Sequence, residues 1–391
     1  MSSRTLVIQG HCDPRFEPVR SCFEENFRER GEIGAAVAIH VAGKVVLDIW
    51  AGMADRAAKK PWSASTLVNV YSTSKGLAAL CIQLLLERGQ LALDAPVAEY
   101  WPEFGAHGKG AITLRVLLSH RAGLAAIKDP LPAGALYDHA LMANALAAQA
   151  PEWEPGTQHG YHAQTFGFLL AELVRRVTGS TLGQYLRDEI ARPSGADVHI
   201  GLSADNDARV AKLTRPLDLP SPPGETNLMD VWKREPAALT TRAFSNPPPV
   251  PGATQTREYR AAEIPASNAH ATALGLSRIY AATISPNPDW GQPLLSPAGI
   301  ARCSEEYAFG MDLVLRMITR FGPGFMLSQP EGSGNFGPNL RSFGHPGMGG
   351  SLGFADPDAQ IGFGYVMNRM GAAILIDERA HRLVEALYSC I

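Results

Sequence analysis

The sequence is poor in cysteine and arranges none of it for a site. Cys12, Cys22, Cys81, Cys303 and Cys390 are an odd number, widely spaced, with no Cys-x-x-Cys pair. This predicts reduced thiols and excludes a disulfide framework or a thiolate zinc site. The 11 histidines show no His-Glu-x-x-His or comparable spacing, so no metal is expected. No uninterrupted apolar run reaches the roughly 18 residues that a membrane helix needs. The opening MSSRTLVIQGHCDPRFEPVR lacks an apolar signal-peptide core and carries acidic and proline residues early, which predicts a soluble, cytoplasmic protein. Lys and Arg form no block and the formal net charge is -3, so nucleic acid is excluded as a partner. There is no internal repeat.

What the chain does have is size and apolar content. Its 391 residues are 46% hydrophobic and 19% charged, the balance of a globular protein. That length supports two packed subdomains or one elaborate α/β domain, with room for a deep, water-poor site for a small neutral ligand. Phe16, Val19, Phe23 and Phe27 recur at helical spacing before Gly31. Two β-rich runs, 34–41 and 45–50, flank a short glycine-containing turn and predict a hairpin. Leu77, Leu80, Cys81, Leu84 and Leu85 mark one face of a helix ending at Arg88-Gly89.

From about 90 the periods are mostly helical. The proline-rich stretch 216–265 reads as largely irregular, a surface insertion or a flap over a site. Strand signals return near 308–315, 324–328, 342–347, 350–355 and 361–367, and a last helix is expected over Ile374–Tyr388. The expected fold class is therefore α/β in the α+β sense. One antiparallel sheet is built from both chain ends (1–89 and 284–391) and covered by the terminal helices, with a mainly helical subdomain over 90–283.

Two serines compete as nucleophile. Ser72 and Lys75 stand three residues apart at the start of the helix after residue 71, so their side chains share a face. A serine hydroxyl needs a base within hydrogen-bond reach, and a lysine amine serves as one when desolvation lowers its pKa. Val68, Val70, Leu77 and Ala78 supply an apolar setting, and the helix N-terminus offers N–H groups to a developing oxyanion. A helix cap beside a solvated lysine is the plain structural alternative. The rival is Gly349-Gly-Ser351-Leu-Gly353, a Gly-x-Ser-x-Gly match with Asp356, Asp377 and His381 downstream in triad order. That motif needs a strand before its serine and a helix after it, whereas the residues after Ser351 read as a strand.

Further segments follow in a fixed order: Leu117-Leu-Ser-His-Arg-Ala-Gly-Leu124, Trp153-Glu-Pro-Gly-Thr157 with Tyr161, Ser267-Asn-Ala-His-Ala-Thr272, and Gly344-His-Pro-Gly347. Together with Ser72-x-x-Lys75 this set resembles the serine β-lactamase-like proteins over roughly residues 20–390. It is most similar to the family VIII carboxylesterases, which look like class C β-lactamases and penicillin-binding proteins. The resemblance implies the β-lactamase/transpeptidase-like fold and a cofactor-free acyl transfer. It makes Ser72 the nucleophile, Lys75 and Tyr161 the base and acid, and the backbone N–H groups of Ser72 and Met348 the oxyanion hole. A phenol beside an ammonium is expected to have a lowered pKa.

His345, Gly347 and Ala163 are the implied substrate-pocket residues. His345-Pro-Gly347 stands where β-lactamases typically have Lys-Thr-Gly, and Ala163 where relatives carry a substrate-contacting asparagine. Both departures remove donors suited to an anionic amide and favour small, short-chain neutral esters. The same site also fits a β-lactamase, a D-amino-acid peptidase or an acyltransferase, and a non-catalytic scaffold is the alternative of another class. His120 and His270 are expected to be structural. Oligomeric state is left open.

Overall fold

The computed structural model describes residues 6–214 and 227–391. The N-terminal run supplies β1 (Gln9–Cys12), β2 (Gly34–Val41), β3 (Lys44–Asp55) and the short β4 (Lys60–Pro61). Three two-residue strands, β5 (Val68–Asn69), β6 (Val198–His199) and β7 (His270–Ala271), form a small separate sheet in the order β5-β7-β6. The C-terminal run adds β8 (Ala308–Met311), β9 (Ile318–Phe321), β10 (Met326–Leu327), β11 (Phe343–Pro346), β12 (Leu352–Asp356) and β13 (Ile361–Met367).

The large sheet runs β1-β3-β2-β13-β12-β11-β10-β9-β8, with β4 on β3, and its paired neighbours are antiparallel. The two chain ends meet where β13 pairs β2, from Ile361 opposite Val41 to Met367 opposite Ala35. The hairpin turn uses positive φ at Ala42 (50°) and Gly43 (78°), the backbone that matches the twist of the flanking strands. β9 was not foreseen, as only four residues, Ile318–Phe321, stand between Met317 and the Gly322-Pro-Gly324 turn.

Period two decides which face each side chain serves. Along β2, Ala35, Val37 and Ile39 join one core, and Ala36 and Ala38 join the other. The first core holds Phe16 at the N-cap of helix Glu17–Glu29, Val19 and Phe23 from that helix, and Leu383, Val384 and Leu387 from helix Glu378–Tyr388. The two terminal helices thus cover one face.

The other face carries helix Ala273–Ile284, a segment the sequence assigned to the helical part, laid directly on β13 and β2. Small residues permit this approach. A side chain at Gly364 would meet Ser277 N at 2.7 Å, and Ser277 Oγ donates to Gly362 O at 2.8 Å.

Helix Thr73–Glu87 lies between the sheet and the helical layer of His139–Ala148, Thr165–Thr178 and Leu182–Leu186. It is buried on every side from Thr73 to Leu85, not along one stripe as its leucines suggested. Its low amphipathicity follows from that central position.

Of the 216–265 stretch, residues 216–226 lie outside the described residues. The remainder is more regular than expected, with helices Leu228–Arg234, Leu239–Ser245 and Arg257–Ala261. Among the described residues no helix is long and apolar enough to cross a membrane.

Candidate active site

Ser72 sits where a short strand turns into a buried helix. Val70 N donates to Ala269 O at 2.9 Å, tying the end of β5 to the segment before β7. Tyr71 then adopts φ 43°, a left-handed conformation that costs a non-glycine residue about 1–3 kcal/mol unless its surroundings impose it. They do so here. Tyr71 N donates to Asn69 Oδ1 at 3.1 Å, Ser74 Oγ donates to Tyr71 O, and Ala269 N donates to Ser74 Oγ at 2.9 Å. The strained strand-to-helix turn required of a nucleophile elbow is thus present at Ser72.

Ser351 lacks it. It precedes strand β12, and its hydroxyl is spent on Val70 O at 2.8 Å and Thr73 Oγ1 at 3.0 Å. Its presumptive triad partners are dispersed. Asp356 accepts from Asn339 and Tyr388, Asp377 caps the last helix and pairs with Arg379, and His381 faces Glu385. Ser351 therefore anchors the Ser72 segment.

Lys75 Nζ lies 3.1 Å from Ser72 Oγ and donates to Ala266 O at 2.9 Å. The side chain is fully buried and pairs with no carboxylate among the described residues. Burial lowers its pKa well below the lysine range, the direction that favours a neutral amine able to accept a proton from the Ser72 hydroxyl. The carbonyl that orients it is held in turn by Asn268, whose Nδ2 donates to Tyr259 O (2.8 Å) and Ala262 O (2.7 Å).

Tyr161 places its ring 4.7 Å from Lys75 Nζ and is stacked on Phe321. Its pKa moves opposite to expectation. Burial pushes the phenol above its ordinary value, outweighing the lowering by its hydrogen bond with Ser72. The expectation of a lowered value assumed an ammonium neighbour, whereas the same burial that raises the phenol lowers Lys75.

Asp312, which no sequence pattern flagged, positions Tyr161. It is fully buried and accepts from Tyr161 N (3.0 Å), Val314 N (2.8 Å) and Leu315 N (2.8 Å). A lone acid between apolar strand segments was the available signal.

The backbone N–H groups of Ser72 and Met348 have no acceptor among the described residues, and both residues line one cavity of about 420 Å³. Ala163 also lines it. His345 and Gly347 do not line it. His345 is buried below the site, its Nδ1–H donating to Pro346 O at 2.6 Å, and burial drives its pKa down to about 3. Gly347 lies against the Ser72 segment, where a side chain would overlap Ser351 Oγ and Val70 O.

His120 Nδ1 accepts from His162 N at 3.1 Å and its ring stacks on Phe166, a structural role. His270 is buried in β7 and lines no part of the cavity. Among the described residues no three His, Cys, Asp or Glu side chains are grouped to hold a metal ion.

A sheet of both chain ends, a helical layer and a serine at the head of the helix between them define a serine hydrolase of the carboxylesterase and β-lactamase-like class. Residues 19–387 match the family model described as Beta-lactamase, and the chain belongs to that family. It is 36% identical over 383 residues to the esterase/beta-lactamase LipL of Mycobacterium tuberculosis, covering 95% of this chain and 86% of that one. Among solved structures it is similar to a family VIII carboxylesterase, with 38% identity and a TM-score of 0.89 over 98% of this chain and 100% of the other. A penicillin-binding protein homologue from Caulobacter crescentus shows 41% identity, TM-score 0.89, and the same coverage.

Proposed function

We propose that the protein hydrolyses small, neutral carboxylic esters, short-chain ones among them, through an acyl-enzyme on Ser72. The observation that carries this reading is the fully buried Lys75 amine at 3.1 Å from Ser72 Oγ, its pKa lowered by that burial. Lys75 takes the Ser72 proton as Oγ attacks the ester carbonyl, and the tetrahedral oxyanion is held by the Ser72 and Met348 N–H groups. Collapse breaks the C–O bond, and the Tyr161 phenol protonates the departing alkoxide while regaining its own proton from the Lys75 ammonium. Water then attacks the acyl-enzyme by the same relay, releasing the carboxylic acid and restoring the serine hydroxyl.

Neutrality of the substrate is supported by the cavity, which no charged side chain lines among the described residues. The likeness to a family VIII carboxylesterase supports the ester as the main substrate, while LipL, an esterase/beta-lactamase, carries both. The test is Ser72→Ala beside Ser351→Ala on p-nitrophenyl butyrate, with a fluorophosphonate probe and nitrocefin in parallel. Ser72→Ala is expected to lose hydrolysis and labelling together. Full activity in that variant refutes the assignment.

A further inference from the structure

The cavity at Ser72 is larger and more aromatic than a short acyl chain requires. A volume of about 420 Å³ compares with the roughly 150 Å³ that suffices for benzene. Tyr71, Tyr137, Trp232, Phe244 and Tyr259 contribute to its wall. The rings are ordered against each other, with Trp232 and Phe244 at 5.7 Å between centroids and Tyr137 and Tyr259 edge to face at 6.4 Å.

This wall is built before any ligand arrives. Trp232 and Phe244 stand on helices Leu228–Arg234 and Leu239–Ser245, and Pro248, Pro249 and Val250 continue it. The second helix is fastened by Thr240 Oγ1 to Val314 O (2.7 Å) and by Arg242 to Glu152 (2.8 Å). At its end, Asn246 Nδ2 donates to Ile127 O (2.8 Å) and Asp129 O (2.9 Å). A preformed apolar wall gains affinity from a bulky apolar group without an ordering cost.

Resting on the reading of Ser72 as the nucleophile, we propose that the preferred substrate is an ester carrying a bulky, uncharged aromatic group in its acyl or alcohol part. Trp232 and Phe244 are its specificity-determining residues. An aromatic ring fills the space that an acetyl group leaves to water, and its edge and face match the rings already there. A carboxylate in the same position loses its hydration and finds no cation among the described lining residues.

The experiment compares kcat/KM by pH-stat titration on methyl acetate, methyl 3-phenylpropanoate, benzyl acetate and monomethyl succinate. Either aryl ester is expected to exceed methyl acetate by about 10-fold or more, and the arm in which this happens says whether the ring is on the acyl or the alcohol side. Monomethyl succinate is expected to be the poorest of the four. Trp232→Leu and Phe244→Leu keep apolar bulk, and each is expected to lower the aryl-to-methyl ratio several-fold. Alanine variants serve as a second pair, with thermal melting to report a damaged fold.

Ratios near one in both arms, a preference for monomethyl succinate, or ratios unchanged in both leucine variants would overturn the proposal. Failure of the underlying reading looks different: Ser72→Ala would still hydrolyse methyl acetate.

Discussion

Gly347→Ala tests whether the oxyanion hole depends on contact between two strand ends. Gly347 opens the turn out of β11, and a methyl group there would overlap Ser351 Oγ and Val70 O and lie 2.9 Å from Thr73 Oγ1. Ordinary contact begins near 3.4 Å, so the third-motif turn and the Ser72 segment must part by roughly 1 Å. Neither side yields easily, because Val70 is backbone and both hydroxyls are buried.

Met348 N is the next donor along the chain. An oxyanion donor must lie about 2.7–3.1 Å from its acceptor, and a shift of that size takes it out of range. Losing one such donor lowers kcat by about 10²–10³-fold, while the overpacking itself costs about 1–3 kcal/mol of stability. The assay is kcat and KM on p-nitrophenyl butyrate, with denaturant unfolding to measure stability separately. Gly347→Ala/Ser351→Gly removes one overlap but leaves Val70 O, so it is expected to recover only part of the loss. A folded Gly347→Ala enzyme with kcat within about 5-fold of wild type would refute the argument.

The remaining predictions concern protons. Lys75 must be neutral to act as base, and its folded pKa is lowered, so kcat/KM is expected to fall as pH drops through that lowered value and to hold through the alkaline range, since Tyr161 is raised. Linkage gives a second readout. The unfolded chain binds the proton that the buried amine refuses, so stability rises with pH from the lowered value up to the ordinary 10.5. Lys75→Met is expected to abolish turnover and to remove up to about 1.4 kcal/mol per pH unit of that slope, measured by urea unfolding across the window; equal slopes in both proteins would contradict a neutral Lys75. Tyr161→Phe is expected to lower kcat by about 10²–10⁴-fold with little change in KM. Asp312→Asn is expected to lower kcat in the wild type but to add little in the Tyr161→Phe background, and additive losses would show that Asp312 does not act through the phenol.

The proposed nucleophile was legible because its signal is local. Three-residue spacing at a helix start puts Ser72 and Lys75 on one face whatever the rest of the chain does. The hairpin 34–41/44–55 and the terminal helices were legible for the same reason, as their periods of two and 3.6 are properties of short segments. The order of the motifs added Tyr161 without saying how its proton behaves.

What only the tertiary structure decided depends on residues distant in sequence. The lowered pKa of Lys75 comes from its encasement by elements near residues 161, 266 and 345, and the same burial raises Tyr161 where a pairwise argument lowers it. Ser351 became an anchor because β12 brings it to Val70 across 281 positions of chain. The aromatic wall arose from a stretch read as irregular. Spacing along a chain determines which groups share a face, whereas dielectric surroundings and cavity shape are set by what packs against that face, and only the folded chain contains that information.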